Sequence, residues 1–185
     1  MCAAKVAFPG FDTPAAGFEV PLEMLSACHG RVERQCQTML RLVPHIAANG
    51  PDQAAREAAQ NVMRYFDTAA RHHHADEEQD LFPALLRTAP DAGRARLGEL
   101  IDTLLAEHRA LEQAWLQVRA KLETISLGRK PELGANEVGR LVDLYASHIA
   151  REEEELLPLA TRLLDEAQLD AVGRAMRLRR GITDV

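Results

Sequence analysis

His73-His74-Ala75-Asp76-Glu77-Glu78-Gln79-Asp80-Leu81-Phe82-Pro83 and His148-Ile149-Ala150-Arg151-Glu152-Glu153-Glu154-Glu155-Leu156-Leu157-Pro158 share one pattern: His, three residues, two Glu, two residues, Leu, then Phe or Leu, then Pro. Residues four apart on a helix lie one above the other, so each His shares a face with the first Glu of its pair. The steps continue as His73, Glu77, Leu81, Leu85 and as His148, Glu152, Leu156, Ala160, which sets each of these Glu residues between inward groups. An ionised carboxylate in that position is costly unless something positive meets it. No Lys or Arg is regularly placed opposite.

Outward from the two copies the chain repeats the device with single histidines. Leu22, Leu25, His29, Val32, Cys36, Met39 and Val43 alternate spacings of three and four, which puts them on one helical face. Leu97, Ile101, Leu104, His108, Leu111, Trp115, Val118, Leu122 and Ile125 do the same. Ala59, Val62, Phe66 and Ala69 lead to His73, and Val138, Leu141 and Tyr145 lead to His148. Four helical segments therefore each turn one histidine inward. The intervals from His29 to His108 and from His73 to His148 are nearly equal, so the chain reads as two related helical hairpins.

Breaker clusters at Asn49-Gly50-Pro51, Ala89-Pro90-Asp91 and Leu127-Gly128-Arg129-Lys130-Pro131 divide these segments. The expected spans are 21–48, 52–88, 91–126 and 135–164, with a shorter helix over 166–180. Pro21 can open the first helix, and Asp52, Asp91 and Asn136 are the expected caps of the next three. Residues 1–20 lack periodicity and carry Pro9, Gly10, Pro14 and Gly17, the composition of an irregular arm. The expected fold is all-α: an up-down four-helix bundle over 21–185 with a short C-terminal fifth helix, preceded by that arm.

Four imidazoles and two carboxylates are too many for one tetrahedral zinc and too few to saturate two octahedral ions. Two metals bridged by the carboxylates, each with two histidines, leave room for a bridging oxygen species and an exchangeable ligand. The expected metal ligands are His29, His73, Glu77, His108, His148 and Glu152. Nitrogen and oxygen donors without thiolate suit iron first and manganese second, and zinc can occupy such a site.

Several neighbouring residues carry plainer expectations. In the run His72-His73-His74 only one ring can point fully inward, and the spacing to Pro83 selects His73 over His74. Glu33 and Glu112 stand four after His29 and His108 but on the flank of the stripe, as helix-surface charges or outer partners of the ligands. Tyr145 and Trp115 are expected in the core, with Tyr145 able to hydrogen-bond an oxygen species at the site. Cys36 is read as a small core residue, Cys28 as pointing elsewhere, Glu153 to Glu155 as a solvated acidic face, and His45 as lacking a partner. Pro83 and Pro158 are expected to kink their helices.

Composition narrows the class. With 185 residues and three cysteines lacking any CxxC pair, the chain suits one domain with reduced thiols rather than a disulfide framework. A net charge of -6 with interspersed signs argues against nucleic acid as a partner, despite the basic end at Arg174, Arg177, Arg179 and Arg180. No apolar run approaches a membrane span and no leader pattern opens the chain, so the expected compartment is the cytoplasm.

At these residues the chain resembles the hemerythrin-like HHE cation-binding family, over about residues 20–180 and including the tail from Gln168 to Met176 and on through Arg179-Arg180-Gly181. The resemblance implies the same six ligands and a pair of iron ions, cycling between ferrous and ferric, with a bridging oxo or hydroxo group. Oxygen-carrying hemerythrins place a second histidine on the third helix and an aspartate on the fourth, whereas here Glu112 and Glu152 stand four after His108 and His148. The ligand set is nearer that of di-iron proteins implicated in iron-sulfur cluster repair. The leading functional expectation is a non-haem di-iron protein that binds or reacts with oxygen, nitric oxide or peroxide, in stress response or iron handling. The alternatives are an iron donor for cluster repair and a metal-stabilised interaction module. The residues leave enzyme status open. A homodimer is compatible with this reading.

Overall fold

The computed structural model describes residues 17–130 and 132–183, and no strand occurs among them. Five helices follow one another: α1 (Pro21–Asn49), α2 (residues 53–88), α3 (Asp91–Ser126), α4 (residues 135–163) and α5 (Glu166–Arg179). The first four form an all-α bundle in which each packs against two neighbours, α1 on α2, α2 on α3, α3 on α4 and α4 back on α1. Short connections force consecutive helices antiparallel, and α4 returns beside α1. The fifth helix lies across α1 and the middle of α2. Most of the irregular arm expected over 1–20 falls outside the described residues. Its last residues form a turn in which Val20 N–H donates to the Gly17 carbonyl at 3.2 Å.

The helix ends follow local chemistry, with two corrections. Pro21 opens α1, where its missing N–H costs no bond, and Asp52 caps α2 by accepting from Ala55 N–H at 2.8 Å. Asp91, however, is the first residue of α3 rather than its cap, and sits in an ion pair with Arg94 at 3.4 Å. Asn136 lies inside α4, whose preceding residue Gly134 donates its N–H to Glu137 at 3.4 Å. Asp165 and Gln168 bind each other's backbone N–H at the start of α5, a reciprocal cap. His45 also has a partner after all: it meets Asp52 at 3.0 Å across the α1–α2 connection.

Three π-helical turns interrupt α2 and α4, at Phe66–Ala70, Glu77–Leu81 and Glu152–Leu156. The last two begin on the motif glutamates and end just before Phe82-Pro83 and Leu157-Pro158. A proline ring clashes with the carbonyl four residues back and offers no N–H. Widening the turn relieves both problems, and Phe82 and Leu157 N–H donate five residues back, to Glu77 and Glu152.

The core is split into two apolar clusters. One contains Met39, Val62, Phe66, Trp115, Leu122 and Leu141, and the other Leu25, Leu81, Leu85, Leu104, Leu156 and Met176. Between them lies a layer of buried polar side chains: His29, His73, Glu77, His108, His148 and Glu152. No helix among the described residues is long and apolar enough to cross a membrane.

Candidate metal centre

Each bundle helix delivers its histidine to the same level, and the two π-helical turns hold Glu77 and Glu152 there. All six side chains are at most 3 % exposed. His29 and His73 face each other through Nε2 at 3.2 Å, as do His108 and His148 at 3.1 Å. The two carboxylates lie between these pairs and divide their oxygens. Glu77 places Oε1 3.3 Å from His73 Nε2 and Oε2 3.3 Å from His108 Nε2. Glu152 places Oε2 3.0 Å from His29 Nε2 and Oε1 3.0 Å from His148 Nε2.

Outer carboxylates set which nitrogen faces the centre. His29 Nδ1–H donates to Glu153 at 2.6 Å, His108 Nδ1–H to Glu78 at 2.6 Å and His148 Nδ1–H to Glu107 at 3.0 Å. A carboxylate only accepts, so in each neutral ring the proton is on Nδ1 and the Nε2 lone pair points inward. His73 Nδ1 is buried without a hydrogen-bond partner among the described residues, as are both oxygens of Glu77 and of Glu152. With the rings neutral, the lone pairs of His29, His108 and His148 thus converge on the carboxylate oxygens, while no outer partner fixes the tautomer of His73. Such a set is repulsive until cations enter it, which is the chemistry of a metal site.

Protons stand in for cations when no metal is bound, and the titration of the cluster reflects that. Burial pulls the His29 imidazole down, but bonds to Glu152 and Glu153 outweigh it and hold it up at about 9. His108 behaves alike through Glu152 and Glu77, at about 10. His73, buried and only partly offset by Glu152, falls to about 3. Burial and repulsion from Glu152 raise Glu77. Glu152 resists its burial and drops well below the usual carboxylate range because His108, His148 and His29 surround it.

Two groups of four donors share both glutamates: His29, His73, Glu77 and Glu152, and Glu77, His108, His148 and Glu152, with all donor atoms of each group within 4.8 Å of one another. Residues 20–160 match the hemerythrin HHE cation-binding domain. The chain belongs to that family. An uncharacterized protein of Haemophilus influenzae is 31 % identical over 169 residues, covering 91 % of this chain and 95 % of the relative. As a member of the hemerythrin HHE family, the chain is a metal-binding helical bundle.

Several expected neighbours take other roles. Glu33 and Glu112 are exposed, and no hydrogen bond joins either to an inward histidine among the described residues. The outer places belong to Glu78, Glu107 and Glu153, none of which the apolar stripe singles out. The second Glu of each motif copy reaches the other hairpin: Glu78 on α2 holds His108 on α3, and Glu153 on α4 holds His29 on α1. That doubled Glu was the visible signal. Glu153 is therefore part-exposed but tied to His29 rather than a purely solvated charge, whereas Glu154 and Glu155 are exposed as expected. Tyr145 is buried against Phe66, with ring centroids 5.4 Å apart, and borders a cavity of about 570 Å³ beside His74 and His108. Cys36 is in the core. Cys28 is buried too, its sulfur accepting from Arg31 at 2.8 Å and its carbonyl from the Tyr65 hydroxyl at 3.3 Å.

Proposed function

We propose that the chain is a non-haem di-iron protein that binds or reacts with a small oxidant, oxygen, nitric oxide or peroxide, and that His29, His73, Glu77, His108, His148 and Glu152 are its ligands. The observation that carries this reading is the division of each carboxylate's oxygens between two imidazole pairs. Each ion would have two histidines and a share of both glutamates. Hard oxygen and imidazole donors without thiolate fit iron, with manganese or zinc as competitors. When bound, the iron pair supplies one- or two-electron redox chemistry at an open coordination position.

The protein's own groups define what happens around that position. Glu78, Glu107 and Glu153 keep three imidazoles in the lone-pair-inward tautomer and raise their basicity. The apolar clusters above and below exclude water. The cavity beside Tyr145, His74 and His108 gives a small molecule room to approach. Near-complete burial of all six ligands favours retention of the ions over their donation to another protein.

The test is metal analysis with an optical spectrum in air, followed by anaerobic mixing of the reduced protein with oxygen, nitric oxide or peroxide. About two irons per chain and oxo-bridge absorption support the reading. A single tightly held zinc with no response to any of the three reagents would favour the structural module. An adduct that reverses on degassing marks a carrier, and repeated turnover marks a catalyst.

A further inference from the structure

The two halves of the centre are not equal. Aligning the motif copies sets His73 against His148, and therefore His74 against Ile149, so one hairpin has an extra imidazole where the other has a buried aliphatic side chain. The His74 ring lies parallel to that of His108, with centroids 4.0 Å apart and planes at 10°, and edge-on to that of His148 at 5.8 Å. The three residues bring one ring nitrogen each within 4.8 Å of one another. Stacked in this way the His74 lone pairs run parallel to the His108 plane, so donation to an ion on His108 requires the ring to rotate, and no hydrogen bond of the ring among the described residues opposes that rotation. His74 also lines the 570 Å³ cavity together with His108.

A second asymmetry has the same sense. Glu107, one residue before His108, accepts the Nδ1–H of His148. The matching position before His29 is Cys28, and the matching imidazole, His73, has an unpartnered Nδ1. The His108 and His148 side is thus richer in donors and in outer carboxylates alike.

We propose that His74 is a third imidazole donor to the ion held by His108 and His148, making a pair with three histidines on one ion and two on the other. The inference rests on the metal-pair reading above. His74 would close the cavity side of the centre, and the ion on His29 and His73 would keep fewer protein donors.

The experiment loads wild-type, His74→Ala, His74→Gln and Glu112→Gln protein with ferrous iron, then compares Mössbauer spectra and iron retention against a chelator. Wild type is expected to show two distinct iron environments in equal amount. Both His74 variants should change one environment, leave the other, and lose the altered ion at least about 10-fold more readily. Free imidazole, which fits the cavity, should restore the spectrum of His74→Ala. Glu112→Gln, a change on the same cavity wall, should match wild type. His74 variants that match wild type in both spectrum and retention overturn the inference, as does an equal loss of both ions without rescue by imidazole. A wild-type chain that binds no iron pair overturns the metal-pair reading itself, and this inference with it.

Discussion

Glu153 Oε1 lies 2.6 Å from His29 Nδ1, across the contact between the last bundle helix and the first. Glu78 repeats the relationship with His108 at the same distance. Each copy of the sequence motif therefore places one glutamate at the centre and uses the next to orient a histidine of the opposite hairpin. The crossing ties the two hairpins together through the site.

Removing the charge of these outer partners should weaken metal binding without abolishing it. Glu153→Gln or Glu78→Gln is expected to lower metal affinity by about 10- to 100-fold, because the imidazole loses basicity and orientation. Competition with a chromophoric chelator measures this, and an unchanged affinity in both variants would contradict the assigned role.

Metal uptake should be opposed by acid. In the metal-free protein His29 and His108 hold protons up to about 9 and about 10, and Glu77 and His148 are also raised. Those protons must leave when a cation enters, so affinity rises with pH through neutrality and falls as pH drops. Titrations at several pH values, with an indicator to count released protons, should show proton release on binding. Affinity that is flat or declines from about pH 6 to pH 8 would contradict this.

The histidine and first-glutamate positions were legible because they sit in a three-and-four stripe of apolar residues, such as Leu25, His29, Val32 and Cys36. The helix spans followed from Gly50-Pro51, Pro90 and Gly128 for the same reason, that a backbone breaker acts locally. What was not legible depends on a neighbouring helix. Glu78, Glu107 and Glu153 are one residue off the stripe, and only the approach of α3, α4 and α1 turns them into partners. Glu33 stays exposed on the flank of a stripe that passes through the buried Val32, whereas Glu77 and Glu152 are buried where π-helical turns begin. His74 is hidden from the stripe because only one of three consecutive helical residues points fully inward, and the packing of α3 and α4 is what brings its ring against those of His108 and His148.

Asp76, next to Glu77, is fully buried and is held by Arg179 and Arg180, the latter at 2.6 Å. Both arginines come from the end of α5. Removing one side of a buried ion pair typically costs about 3–5 kcal/mol. Asp76→Ala should therefore lower unfolding stability by roughly that much in a urea titration. A loss below about 1 kcal/mol would show that α5 contributes little to holding α2.

Gly173 lets α5 approach the N-terminal turn. A Cβ at this position would collide with the backbone carbonyl of Phe18, which cannot swing aside as a side-chain tip would. Gly173→Ala should destabilise the chain by about 1–3 kcal/mol despite the better helix propensity of Ala. Thermal unfolding that is unchanged or higher would contradict this packing.

The central claim is that Glu77 and Glu152 each serve two metal ions at once. Anaerobic titration of the metal-free chain with ferrous iron, counting bound ions, tests it most directly. Wild type should saturate at about two ions per chain, and the double variant Glu77→Ala with Glu152→Ala should retain neither tightly. Saturation at a single ion, or a pair that survives in the double variant, would contradict the claim.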